Sequence, residues 1–109
     1  MNCLPRLLKM LTELAARNPK YAPARDLAQR RLYSEIHAGR ISRESADQVA
    51  RFGNERASKQ TEPEFLADLD NELSAEMTIL VANQGSPSDY AMLEELRDTV
   101  RQITSGHQP

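Results

Sequence analysis

Four carboxylates, Glu64, Asp68, Glu72 and Glu76, recur at four-residue intervals. At 3.6 residues per turn that spacing lays them in one ridge along a helix. Like charges so placed repel by roughly 0.2–0.5 kcal/mol per pair. The ridge therefore calls for a cationic counterpart. It could dock on a basic part of the chain, for instance on Arg25, Arg30 or Arg31, within or between molecules. It could equally receive a basic protein partner. The plain alternative is a solvated face that tolerates the repulsion. A metal ion is not expected, because carboxylates on one continuous helix do not converge as those of a calcium loop do.

The other reactive residues are few. Cys3 is the one cysteine, and His37 and His107 are the histidines. His107 sits in a tail, and His37 falls near a helix C-terminus, where a cation interacts well with the helix dipole. No Cys–His or Ser–His–Asp arrangement is suggested, and there is no glycine-rich phosphate loop or metal-ligand spacing. The sequence predicts neither an enzyme nor a cofactor. A lone thiol forms no intrachain disulfide and suits a reducing cytoplasm.

The charge is split between the halves. Residues 1–60 hold 12 Lys/Arg against 6 Asp/Glu, and residues 61–109 hold 2 against 10, which a formal net charge of −2 conceals. Arg25, Arg30, Arg31, Arg40, Arg43, Arg51 and Arg56, with Tyr21 and Tyr33 among them, raise nucleic-acid binding. Glu35, Asp47 and Glu55 interrupt that field, and a pI of 5.7 is far below the value above about 9 usual for such domains.

The elements that must position these residues read as helices. Aromatic content is 5%, there is no Trp, and the apolar residues are mostly Leu and Ala. A first helix is expected from about Leu4 to Arg17, stopped by Asn18-Pro19. Its apolar arc, including Leu4, Leu7, Leu8, Leu11 and Leu14, is wider than the ~100° stripe of an ordinary surface helix. That width predicts a core helix or an interface shared with a partner or second subunit; a membrane-surface helix is the least favoured reading, since Arg6, Lys9 and Arg17 are few charges for one. A second helix follows Pro23 and runs to about Ala38, with Ala28, Leu32 and Ile36 inward, Leu27 and Tyr33 flanking, and Arg31 interrupting the face. Gly39 is a candidate left-handed cap with Ile41 as its apolar contact. Ser42 caps a third helix that the alternating charges from Arg43 to Lys59 carry to about Ser58.

Thr61 and Glu64 form a capping box that opens a fourth helix to about Asn83. Leu66, Leu69, Leu73, Met77 and Leu80 make its stripe, and Gly85 closes it. Ser86-Pro87 opens a fifth helix with Leu93, Leu96, Val100 and Ile103 on one side. Two stripes joined by a short capped turn predict an antiparallel helical hairpin.

The expected fold is thus all-α: one domain over 1–109, with a basic helical layer at 1–60, an acidic hairpin at 61–104 and a frayed tail at 105–109. No stretch approaches the roughly 20 apolar residues of a membrane span, and Arg6, Lys9 and Glu13 break up any leader-like run. A cytoplasmic protein is expected. With little chemistry on show, the function expected is protein–protein interaction. The chain would be a regulator or antagonist, forming a homodimer through the leucines of the first helix. It would mask a larger protein such as a transcriptional regulator. A nucleic-acid-binding regulator using the basic half is the alternative.

Overall fold

Proline and leucine spacing divides the chain into the helices seen in a computed structural model, which describes residues 3–51 and 60–106. The helices are α1 (Leu4–Arg17), α2 (Ala22–His37), α3 (Arg43–Arg51), α4 (Glu62–Ala82) and α5 (Pro87–Thr104), with one 3-10 turn, Pro19–Tyr21, between α1 and α2. No strand occurs among the described residues. The expected continuation of α3 to Ser58 lies outside them, as do residues 107–109 of the expected frayed tail. Among the described residues no helix is long and apolar enough to cross a membrane.

Local chemistry explains most boundaries. Asn18 ends α1 in an extended conformation, and its side chain accepts from the Lys20 N–H at 3.3 Å. Gly39 turns left-handed (φ 78°) after α2, and Ile41 folds back into the core at 5% exposure. The Ser42 hydroxyl accepts from the Ser45 N–H at 3.0 Å and caps α3. Thr61 and Glu64 form the reciprocal capping box at the start of α4. Ser86 precedes Pro87 as the α5 cap but makes no side-chain bond.

The α4–α5 turn differs from its expectation. Gln84, not Gly85, takes the left-handed conformation (φ 53°). A Cβ at Gly85 would stand 2.5 Å from Leu80 Cδ2, so a larger residue there would require the Leu80 side chain to move. The Gly85 N–H donates to the Leu80 carbonyl at 2.7 Å and the Gln84 N–H to Val81 at 3.3 Å. That pairing is a Schellman closure, with Gln84 in the position glycine usually fills.

Helix α1 is the central element. It packs on α2, α3 and α4, while α2 also meets α5. Arg6 reaches Glu72, and Arg17 reaches the Gln60 carbonyl and lies 5.2 Å over the Phe65 ring. Residue numbers rise along α1 as they fall along α4, so the two helices are antiparallel. The same test makes α4 and α5 antiparallel, from Arg101–Asp70 and Arg97–Met77. Tyr21 is fully buried, and its hydroxyl lies 3.0 Å from that of Thr104, tying the α1–α2 connector to the end of α5.

Two stripes are rotated from their expected positions. On α4 the buried set is Phe65, Leu69, Leu73 and Met77, with Leu66 and Leu80 only partly covered. On α2 it is Ala24, Ala28, Leu32 and Glu35, with Ile36 and Leu27 half-buried and Tyr33 56% exposed. The alanines let α2 approach α1 closely, at the cost of little buried area per residue.

Candidate functional site

The leucines expected at a subunit interface are inside the chain. Leu4, Leu7, Leu11 and Leu14 are each 0% exposed. The wide arc of α1 is covered by three neighbouring helices, which a central helix requires and a peripheral one does not. Of that set only Leu8 stays partly open. The interface assigned to Leu4, Leu7, Leu11 and Leu14 is therefore corrected to core.

The acidic ridge runs along the α1–α4 seam. Glu64 closes the capping box through Thr61. Asp68 accepts from the Gln60 side chain. Glu72 pairs with Arg6 at 3.1 Å. Glu76 adjoins Cys3, and burial together with that carboxylate pushes the thiol up to about 12. Cys3 is thus a neutral thiol at physiological pH and a poor nucleophile. Glu72 and Glu76 thus meet the α1 end of the chain, whereas Arg25 pairs with Asp26 and Arg31 with Glu35 and Asp89. Antiparallel packing of α1 on α4 brings Arg6, not the α2 arginines, within reach. At 65% exposure of Arg6, the Arg6–Glu72 pair contributes about 0–1 kcal/mol.

Arg31, which interrupts the apolar face of α2 in the sequence, serves a buried carboxylate. Glu35 is 1% exposed and faces the core side. Arg40 hydrogen-bonds its Oε2, and Arg31 Nε stands 3.3 Å from its Oε1. Arg31 also donates to the Ser88 hydroxyl at 3.2 Å and lies 3.8 Å from Asp89, so the network links α2 to the start of α5. The Arg40 hydrogen bond holds the Glu35 carboxyl below its ordinary value of 4.5, against the opposing effect of burial.

A depressed carboxylate stabilises the folded chain above the unfolded pKa. That contribution is lost as pH falls through the folded value. Urea unfolding should therefore show wild type losing stability below about pH 4.5. Glu35→Gln should be less stable at neutral pH and lose less on acidification. Parallel pH profiles for the two proteins would deny Glu35 this role.

Among the described residues, a groove of about 470 Å³ lies between α1, α2 and α3. Pro5, Leu8, Leu32, Ile36 and Ala46 make its apolar surface. Tyr33 stands at its lip, and Lys9, Glu13, Arg43 and Asp47 supply charge. Glu13 Oε2 is shut off from solvent and has no hydrogen-bond donor among the described residues. Ile79 and Val81, 50% and 66% exposed near the end of α4, are the other large uncovered apolar side chains among the described residues. They lie about 200° apart around their helix and form no concave site.

Sequence reasoning missed the groove because it lies between elements. The one available signal was Tyr33 beside Leu32 and Ile36, an aromatic residue at the edge of an apolar face. His37 is exposed. Among the described residues no three His, Cys, Asp or Glu side chains converge to hold a metal ion. No protein-family model matches the chain, and neither a curated protein nor a solved structure shows significant similarity to it.

Proposed function

We propose that this chain is a protein-interaction module that captures a segment of a larger protein in the α1–α2–α3 groove. It would act as a regulator or antagonist by masking that segment, a transcriptional regulator being one such target. The observation that carries the reading is the groove itself: an apolar surface with Leu8 half-open and Tyr33 56% exposed at its lip. Exposed tyrosine beside a concave apolar patch is the composition of a binding hot spot. The groove is favoured over the acidic ridge because Glu64, Asp68 and Glu72 already have partners within the chain.

Affinity capture from native lysate, with mass spectrometry, tests the reading. Tyr33→Ser removes an exposed ring and should leave the melting temperature within a few degrees of wild type, since surface changes cost about 0.5 kcal/mol or less. The expected result is a protein retained by wild type and lost from Tyr33→Ser. An identical retained set for both proteins would remove the groove as the contact surface. Salt-dependent retention on heparin or DNA, unaffected by Tyr33→Ser, would favour the nucleic-acid reading instead.

A further inference from the structure

We infer that α3 is a hinged flap, held closed by a latch in which Arg40 grips the buried Glu35 carboxylate, and that it opens as a unit from an otherwise intact bundle. Among the described residues α3 packs chiefly on α1, whereas α2 and α4 each meet both α1 and α5. Of its described side chains, Arg43, Glu44, Ser45 and Asp47 are exposed, and Ala46 alone enters the core. An alanine removes little apolar area from water, so burial there holds α3 weakly. Elements with few buried apolar contacts open at lower free energy than the core.

The α2–α3 connection supplies the hinge. Gly39 is left-handed (φ 78°), and a Cβ there would meet nothing within 4 Å, so little surrounds the backbone at that point. Hinges are short connections whose backbone absorbs the change in φ and ψ. Just beyond Gly39 the turn is fastened twice. Ile41 is buried in the core. Glu35 takes three bonds from the turn: its carbonyl accepts from the Arg40 N–H at 2.9 Å and the Ile41 N–H at 3.4 Å, and its carboxylate accepts from the Arg40 side chain.

The other oxygen of Glu35 lets the latch open without collapse of the core. Arg31, one turn earlier on the same helix, places Nε 3.3 Å from Oε1. When Arg40 leaves, the buried carboxylate keeps a cationic partner, without which a buried charge is strongly destabilising. Arg40 is itself mostly exposed and passes into water without crossing the core. The flap carries Arg43, Ala46 and Asp47 of the groove lining, so the latch sets how wide the groove stands. Hinge motion belongs to the unbound chain, and its test does not depend on what the groove binds.

Hydrogen–deuterium exchange with mass spectrometry on the full chain tests this. Opening of α3 alone exposes little surface. Its amides should therefore exchange faster than those of α4, at rates that stay flat across low urea while the α4 rates climb. Arg40→Gln should raise α3 exchange at least about tenfold, the effect of losing one hydrogen bond to a charged group. Arg30→Gln, at an exposed position on α2, should leave α3 exchange unchanged.

Rates in α3 and α4 that climb together with urea would mean that α3 leaves only when the whole bundle unfolds, and would overturn the inference. Exchange of α3 at the free-peptide rate would leave no closed state to latch and would overturn it too. Wild-type α3 exchange in Arg40→Gln removes the latch. Loss of the far-UV circular dichroism signal in that variant would make the Arg40 contact a prop of the whole bundle, which also overturns the inference. The wild-type urea series reads the hinge without any substitution.

Discussion

Leu11→Glu is expected to leave the chain unfolded at 25 °C. Leu11 is 0% exposed on α1, the helix that packs on α2, α3 and α4. Removing a buried leucine already costs about 2–5 kcal/mol. Placing a carboxylate in the same site without a cation adds several kcal/mol of desolvation, or forces it to take up a proton. A domain of this size has only about 5–15 kcal/mol to lose. Far-UV circular dichroism should show collapse of the helical signal, and sedimentation an expanded chain. The opposite result is equally informative. A helical Leu11→Glu protein with wild-type melting would mean that this leucine faces a partner and that the burial of α1 is wrong.

Leu73→Ala and Leu96→Ala should each destabilise the chain by about 2–5 kcal/mol. Both residues lie on the stripes of the hairpin and are 1% and 0% exposed. The α4 and α5 stripes close on the core cluster that also holds Leu7, Leu11, Leu14 and Tyr21. Each kcal/mol shifts the melting temperature by roughly 4–8 °C in a domain near this size. Loss of either leucine should therefore lower it by about ten degrees or more. The two residues belong to one cluster, so the double variant should depart from additivity. A shift under about a degree for either variant would place its side chain outside the core.

The helices and their ends were legible because their causes are local. Asn18-Pro19, Gly39 with Ile41, Ser42, and Thr61 with Glu64 each act within a few residues, and each performs its expected role. The hairpin was legible for the same reason: a short turn allows little but antiparallel return. Gly85 shows the limit. Its type marked a turn, but Gln84 bears the positive φ, and Gly85 lies against the Leu80 side chain. The α2 face misled for a related reason. Arg31 and Glu35, at i and i+4, read as a break in an apolar pattern. They belong to an ionic network around the buried Glu35 carboxylate whose remaining members, Arg40 and Asp89, come from a turn and another helix.

Sequence alone determined the helical class, most of the described helix ends and the ridge of four carboxylates, since periodicity and capping are properties of contiguous residues. Tertiary structure alone decided what each face meets. A wide apolar arc fits both a central helix and a subunit interface, because amphipathicity records how much surface must leave water but not what covers it. Packing of α2, α3 and α4 around α1 placed Leu4, Leu7, Leu11 and Leu14 in the core and left Leu8 half-open. The same packing set Arg6 beside Glu72 and opened the groove at Glu13 and Tyr33. These are relations between residues far apart in the chain, fixed by which helices pack together and in which register, and hydrophobic burial specifies that only when all the faces compete for one core.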